Sequence, residues 1–197
     1  MNRRSALGCL IEVAETLVLT LVIFFVIQTF VAQPYQVEQQ SMERTLEPGQ
    51  YVLVDKLTPR WGGYNRGDVV VFSPPPSWTS ETTPFIKRVI GLPGDTVEIR
   101  DDGLVYVNGT QLVEAYTYTN PAGIHEPTTS QGRQRWTVPA GELFVMGDHR
   151  RASADSRLFG PINESNVIGR AFLRYWPLPA LGILMTPSYP GVTAAAP

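Results

Sequence analysis

Apolar residues fall in one long uninterrupted run and then in many short ones. Residues 16–32 read Thr-Leu-Val-Leu-Thr-Leu-Val-Ile-Phe-Phe-Val-Ile-Gln-Thr-Phe-Val-Ala, with no charge among them. With Ala14 and Glu15, a helix over residues 14–32 spans about 28 Å at 1.5 Å per residue, close to one bilayer hydrocarbon core. Pro34 is expected to end that helix. Beyond it the apolar runs shrink to four to six residues separated by turn signals. Residues 51–54 (Tyr-Val-Leu-Val), 69–72 (Val-Val-Val-Phe), 85–90 (Phe-Ile-Lys-Arg-Val-Ile), 143–146 (Leu-Phe-Val-Met) and 167–176 read as strands. Residues 96–100 and 104–107 read as a hairpin around Asp102-Gly103. Residues 108–135 are polar, with few apolar runs, and form a variable lobe or long loop. From Pro177 onward the chain is uncharged and Pro-rich, a tail that lies on the surface or is disordered. The pattern predicts a mainly β body behind one transmembrane helix.

Composition narrows the function classes. The chain has 197 residues, 43% of them hydrophobic, enough for one domain with a small inserted lobe and an anchor. The net charge is -2, from 16 basic and 18 acidic residues, and there is no basic patch of the kind that binds nucleic acid. Gly and Pro number 17 each, which suits many turns and short strands. One cysteine, Cys9, precedes the apolar run, so the body has neither an internal disulfide nor a thiol nucleophile. With only His125 and His149 as imidazoles, no His/Cys zinc site and no cofactor are expected.

Charge also orients the apolar run. Arg3 and Arg4 precede it, which places the amino terminus in the cytoplasm and the body outside. A cleaved signal peptide would have a shorter apolar core followed by a small-x-small site, whereas here Val31-Ala32-Gln33-Pro34 follows. A retained anchor is the better reading. Of Trp61, Trp78 and the apolar tail, some are expected to dip into the lipid interface, where tryptophan is favoured.

Two polar features interrupt the apolar strands. Lys87 sits in residues 85–90, where side chains alternate in direction, so Phe85 and Val89 share its face and Arg88 points the other way. By pattern alone such a lysine either snorkels at a sheet edge, the more ordinary arrangement, or is buried. Burial would lower its pKa and free its amine to take a proton from a serine hydroxyl, the serine–lysine form of nucleophilic catalysis. Ser41 stands only a few residues beyond the membrane run, close to the bilayer surface. The stretch from Gly147 to Arg157 is dense in polar groups. Ser153 or Ser156 could orient a buried amine there, and Asp148, Asp155, Arg88, Arg150 and Arg157 could pair internally, although most such runs are solvated turns.

Taken together, four segments resemble the bacterial type I signal peptidases, membrane-anchored serine–lysine endopeptidases. Ser41-Met42-Glu43-Arg44-Thr45-Leu46 resembles the family's Ser-Met-x-Pro-Thr-Leu box. Gly67-Asp68-Val69-Val70 matches the next box and Lys87-Arg88-Val89-Ile90-Gly91-Leu92-Pro93-Gly94-Asp95 the lysine box. Met146-Gly147-Asp148 through Asp155-Ser156-Arg157 matches the last. The resemblance implies Ser41 as nucleophile, Lys87 as general base and Ser153 as the group that orients the lysine. It implies bracing by Asp155 with Arg157 and by Asp148 with Arg88, and an oxyanion site at the Ser41 backbone N–H, with Gln39 as a second donor. It implies a β-rich catalytic core over residues 33–176 with an insert within residues 96–142, a cytoplasmic segment over residues 1–13, the transmembrane helix over 14–32 and the tail over 177–197. The substrates implied are secretory preproteins, cut after small-x-small sites through an acyl-enzyme at the plasma membrane, with no metal or nucleotide and a monomer presumed from sequence. Three positions depart from the pattern: Arg44 in place of proline, which loosens the turn beside Ser41, His149 in place of asparagine, and Gln39 two residues before the nucleophile. They motivate two alternatives, a Ser41–His149–Asp triad and an inactive anchored protein that binds signal peptides.

Overall fold

The computed structural model describes residues 3–130 and 132–193, without the side chains of residues 3–7 and of Thr58. Gln131 of the polar lobe, Met1 and Asn2 of the amino-terminal segment and the last four residues of the tail lie outside that description. So do the side chains of Arg3 and Arg4.

Helix α1 (Arg3–Val26) continues through a wider turn at Ile27–Val31, and its apolar residues are exposed. Residues 8–31 have a mean hydropathy of 2.5. The helix begins earlier than the expected residue 14 and leaves helical geometry at Ala32, two residues before Pro34. There Lys56 Nζ donates to the carbonyls of Gln28 and Thr29 (3.4 Å each) and to Gln33 Oε1 (2.6 Å), a cation at a helix C-terminus. Pro34 instead lies inside strand β1 (Ala32–Gln36), at the sheet edge where a residue without an N–H is tolerated.

Among the described residues twelve strands make two sheets. The larger is built from β1, β2 (Tyr51–Asp55), β3 (Val69–Phe72), β4 (Phe85–Gly91), β9 (Glu142–Met146), β10 (Ile162–Asn163) and β11 (Val167–Trp176), in the order β1-β2-β11-β3-β4-β9-β10. A short strand, β12 (Gly182–Ile183), pairs with β11. The smaller sheet is β5 (Thr96–Ile99), β6 (Val105–Val107), β7 (Thr110–Gln111) and β8 (Arg135–Thr137), in the order β7-β6-β5-β8. It forms the inserted lobe. All the pairings given are antiparallel.

The unbroken apolar run of β3 has a physical reason. Val69 and Val71 pack with Val37, Met42 and Leu46 on one face, and Val70 and Phe72 pack with Val89, Leu143 and Ile162 on the other. A strand covered on both faces has no polar side to show. Trp78 belongs to the second cluster, stacked on Phe159 and only 7% exposed. It is therefore not one of the groups that dip into the lipid interface, because its ring fills core space beside Phe72. Trp61 is 84% exposed. The described part of the tail, residues 177–193, lies on the surface and is tied down there. Thr186 donates to Asp68, and Tyr189 packs against the lobe core with its hydroxyl on Tyr116.

Candidate active site

Ser41 sits in a single helical turn, Gln40–Met42, between β1 and β2. Met42 and Leu46, one turn apart, are buried in the core cluster below and pin the turn. The Leu46 N–H donates to the Met42 carbonyl at 2.7 Å. On β4, alternation sends Lys87 to the face of Phe85 and Val89, and Arg88 to the opposite face. Lys87 is 1% exposed, and its Nζ donates to Ser41 Oγ at 2.8 Å and to the Ile86 carbonyl at 3.1 Å. Of the two arrangements open to such a lysine, the structure has the buried one.

Burial is the main influence on this amine and pushes its pKa from 10.5 down to about 8. The carboxylates of Asp155 and Asp148 hold it from falling further. Both are themselves neutralised. Asp148 accepts from Arg88 Nε (2.9 Å) and Nη2 (2.7 Å), a bidentate pair, and from Thr45 Oγ1. Asp155 accepts from Arg157 Nε (2.8 Å) and Nη2 (2.8 Å), from the Gly147 N–H and from Ser153 Oγ (2.7 Å). Burial raises the Asp155 carboxyl, but these donors outweigh it and the net shift is downward.

One supporting group differs in its contact. The Ser153 hydroxyl donates to Asp155, and among the described residues it makes no hydrogen bond to Lys87. Ser153 therefore reaches the lysine through Asp155, whose charge lies beside the amine. Ser156, the alternative, donates no bond there either: its Oγ accepts the Val145 N–H. Gln39 is exposed and lines the same cleft as Ser41, together with Val37, Met42, Pro84 and Ile86. The cleft holds about 20 Å³ of free space, room for little more than one water or a methyl group.

His149 does not face the nucleophile as a base would. Its ring stacks on Tyr118 with centroids 3.9 Å apart, and Nδ1 lies 2.7 Å from Glu43 Oε2. Only its backbone N–H touches Ser41, at the carbonyl oxygen, 3.0 Å away. The triad alternative loses its geometric basis. The turn beside Ser41 is not loose either. Arg44 has φ 81°, a backbone region that proline's ring excludes, and its guanidinium donates to the Thr117 carbonyl at 2.9 Å and to Thr119 Oγ1.

Several residues here escape a reading of the sequence. Glu114 pairs with the buried Arg150, which also donates to the Gly147 carbonyl. Tyr116 lies under the Arg88 guanidinium at 4.1 Å, and Thr45 bridges Arg88 and Asp148. The Thr in the nucleophile box was the available signal for the last. Nothing local marks Glu114, since its partner is 36 residues away. Among the described residues no group of three His, Cys, Asp or Glu side chains is arranged to hold a metal ion.

Comparison with known proteins gives a consistent picture. A family profile described as "Signal peptidase, peptidase S26" matches residues 10–176. A relative named "Probable signal peptidase I-2" from Synechocystis sp. is 36% identical over 176 residues, covering 88% of this chain and 77% of that one. "Signal peptidase IB" of Staphylococcus aureus is 35% identical over 178 residues, covering 85% of this chain and 90% of that one. A crystal structure of a signal peptidase I from Enterococcus faecalis is 34% identical and covers 54% of this chain and 95% of that one, with a TM-score of 0.41.

Proposed function

The chain belongs to the S26 family of signal peptidases, and from that premise we propose that Ser41 and Lys87 form the dyad of a membrane-anchored endopeptidase cutting secretory preproteins after small-x-small sites. The observation that carries the reading is the 2.8 Å contact between Lys87 Nζ and Ser41 Oγ inside a dry site. A lysine at its ordinary pKa is free amine in about four molecules per ten thousand at pH 7, whereas a pKa near 8 frees about one in ten.

The chemistry follows from that amine. Nζ takes the proton of Ser41 Oγ as the oxygen attacks the scissile carbonyl carbon. The developing oxyanion is met by the Ser41 N–H, at the start of a helical turn whose first N–H groups have no partner within the turn, with Gln39 at the cleft edge as a second donor. Collapse breaks the peptide C–N bond, and the Lys87 ammonium returns the proton to the departing amine of the mature chain. Signal peptide remains as an ester on Oγ. Lys87, again a free amine, takes a proton from a water whose oxygen attacks the ester carbon; collapse breaks the bond to Oγ and releases the signal peptide as a carboxylic acid, and the Lys87 ammonium returns the proton to Oγ.

The narrow cleft beside Ser41, with room for little more than one water, supports a small residue at the cut. Helix α1, with its run of exposed apolar residues, supports anchoring, and Arg3 and Arg4 ahead of the run support an amino terminus in the cytoplasm. The assembled contact between the two dyad residues speaks against the inactive binding protein. The test is cleavage of a preprotein bearing an Ala-x-Ala site by the full chain in detergent, with products identified by mass. Ser41→Ala and Lys87→Ala should each lose more than a thousandfold in turnover. Full activity in Lys87→Ala would sink the reading.

A further inference from the structure

Three segments far apart in the chain meet directly behind Ser41. The first is the nucleophile turn, through Glu43 and Arg44. The second is residues 117–119 of the inserted lobe. The third is the loop that begins at Asp148 and His149. Each pair is joined. Arg44 Nη1 donates to the Thr117 carbonyl and Thr119 Oγ1, and Glu43 Oε2 lies 2.7 Å from His149 Nδ1. The Tyr118 N–H donates to the Asp148 carbonyl at 3.0 Å, and the Tyr118 ring stacks on His149. The His149 N–H closes the circuit on the Ser41 carbonyl.

Arg44 is the most unusual member. A side-chain-bearing residue at φ 81° is uncommon and survives where surrounding contacts hold it. Its N–H donates to Glu47 Oε1, and its guanidinium reaches into the lobe, so both ends of the residue are fixed. The family that this chain resembles carries proline here, with φ near −65°, so this turn takes a different path.

We propose that Arg44, with Glu43 and His149, is a positioning device that sets the place of Ser41 by tying its turn to the inserted lobe. The lobe thereby acts on the catalytic step, although none of its described residues hydrogen-bonds Ser41 Oγ. The device does for this chain what a rigid proline would do in the turn. This inference rests on the Ser41–Lys87 reading.

Two consequences separate positioning from simple structural support. Arg44→Gly removes the guanidinium but suits the backbone, so folding should be intact and the melting temperature unchanged or higher, while kcat falls about tenfold at an unchanged KM. Arg44→Asn, which also tolerates this backbone region, should behave alike. Arg44→Pro, although it restores the family's residue, should be slower still. Thr119→Val should lower kcat less, and the Arg44→Gly/Thr119→Val double variant should be no slower than Arg44→Gly alone. Turnover is measured on the same preprotein with the full chain, next to Ser41→Ala and Lys87→Ala. Wild-type kcat in Arg44→Gly and Arg44→Asn, or in Arg44→Pro, overturns the proposal. So does a drop in kcat only in step with a drop in melting temperature. Activity surviving in Ser41→Ala or Lys87→Ala would instead overturn the dyad itself.

Discussion

Lys87 costs the fold stability and is kept dry all the same. An ammonium removed from water is disfavoured, and the downward pKa shift is the measure of that. The unfolded chain holds the proton up to about pH 10.5 and the folded chain only to about 8. Stability therefore rises as pH climbs through that window, and the cost is fully present below it. Gly147 carries the neighbouring constraint. A Cβ there would run into Ser153 Oγ and would stand 2.5 Å from the Ser41 carbonyl oxygen, part of the backbone. Because that backbone can yield only at a cost, Gly147→Ala should displace the nucleophile turn and lower turnover at least tenfold, and a variant with wild-type kcat would show that the turn has slack. The chemistry of these residues was legible in their types and spacing. The burial of Lys87 was not, because an edge lysine and a core lysine leave the same alternation in a strand.

At the scale of elements, β4 is the organising strand. Its alternation sends Lys87 to one face and Arg88 to the other, and this much could be read directly from Phe85-Ile86-Lys87-Arg88-Val89-Ile90. The partner of Arg88 lies 60 residues away, and only the resemblance in the motifs singled out Asp148 from the acids of the polar stretch. Arg150 and Glu114 show the opposite case, since no motif joins them. Removing one member of a buried pair leaves the other charge unpaired. Asp148→Ala should therefore cost about 3–5 kcal/mol and lower the melting temperature by roughly 6–20 °C in thermal unfolding. A shift under about 2 °C would mean that the Arg88 guanidinium finds water or another acceptor. Trp78 could not be told from Trp61 for a related reason: a tryptophan in a Pro-rich stretch looks like a surface anchor until Phe72 and Phe159 are seen around it. The contacts that tie the tail to the body left no mark in the sequence, because they are made by Thr186 and Tyr189, isolated residues with no periodic pattern.

Across the whole molecule, the β body hangs from α1 by a junction that Lys56 closes, and Ser41 follows that junction by one short strand. The exposed Trp61 and the apolar side chains of Leu178, Leu181, Ile183 and Met185 belong to the body, not to the helix. In phospholipid vesicles the full chain should resist extraction by alkaline carbonate. Trp61→Phe should remove a blue-shifted part of the tryptophan emission, whereas an unchanged spectrum would place Trp61 in water.

The claim on which the account turns is that a buried, partly deprotonated Lys87 activates Ser41. The direct measurement is kcat/KM for preprotein cleavage between pH 6 and 10. Free amine is the active form, so the account predicts a tenfold rise per pH unit that levels off around a midpoint of about 8. A profile flat across that range, or one still climbing at pH 10 towards the ordinary lysine value, would contradict it.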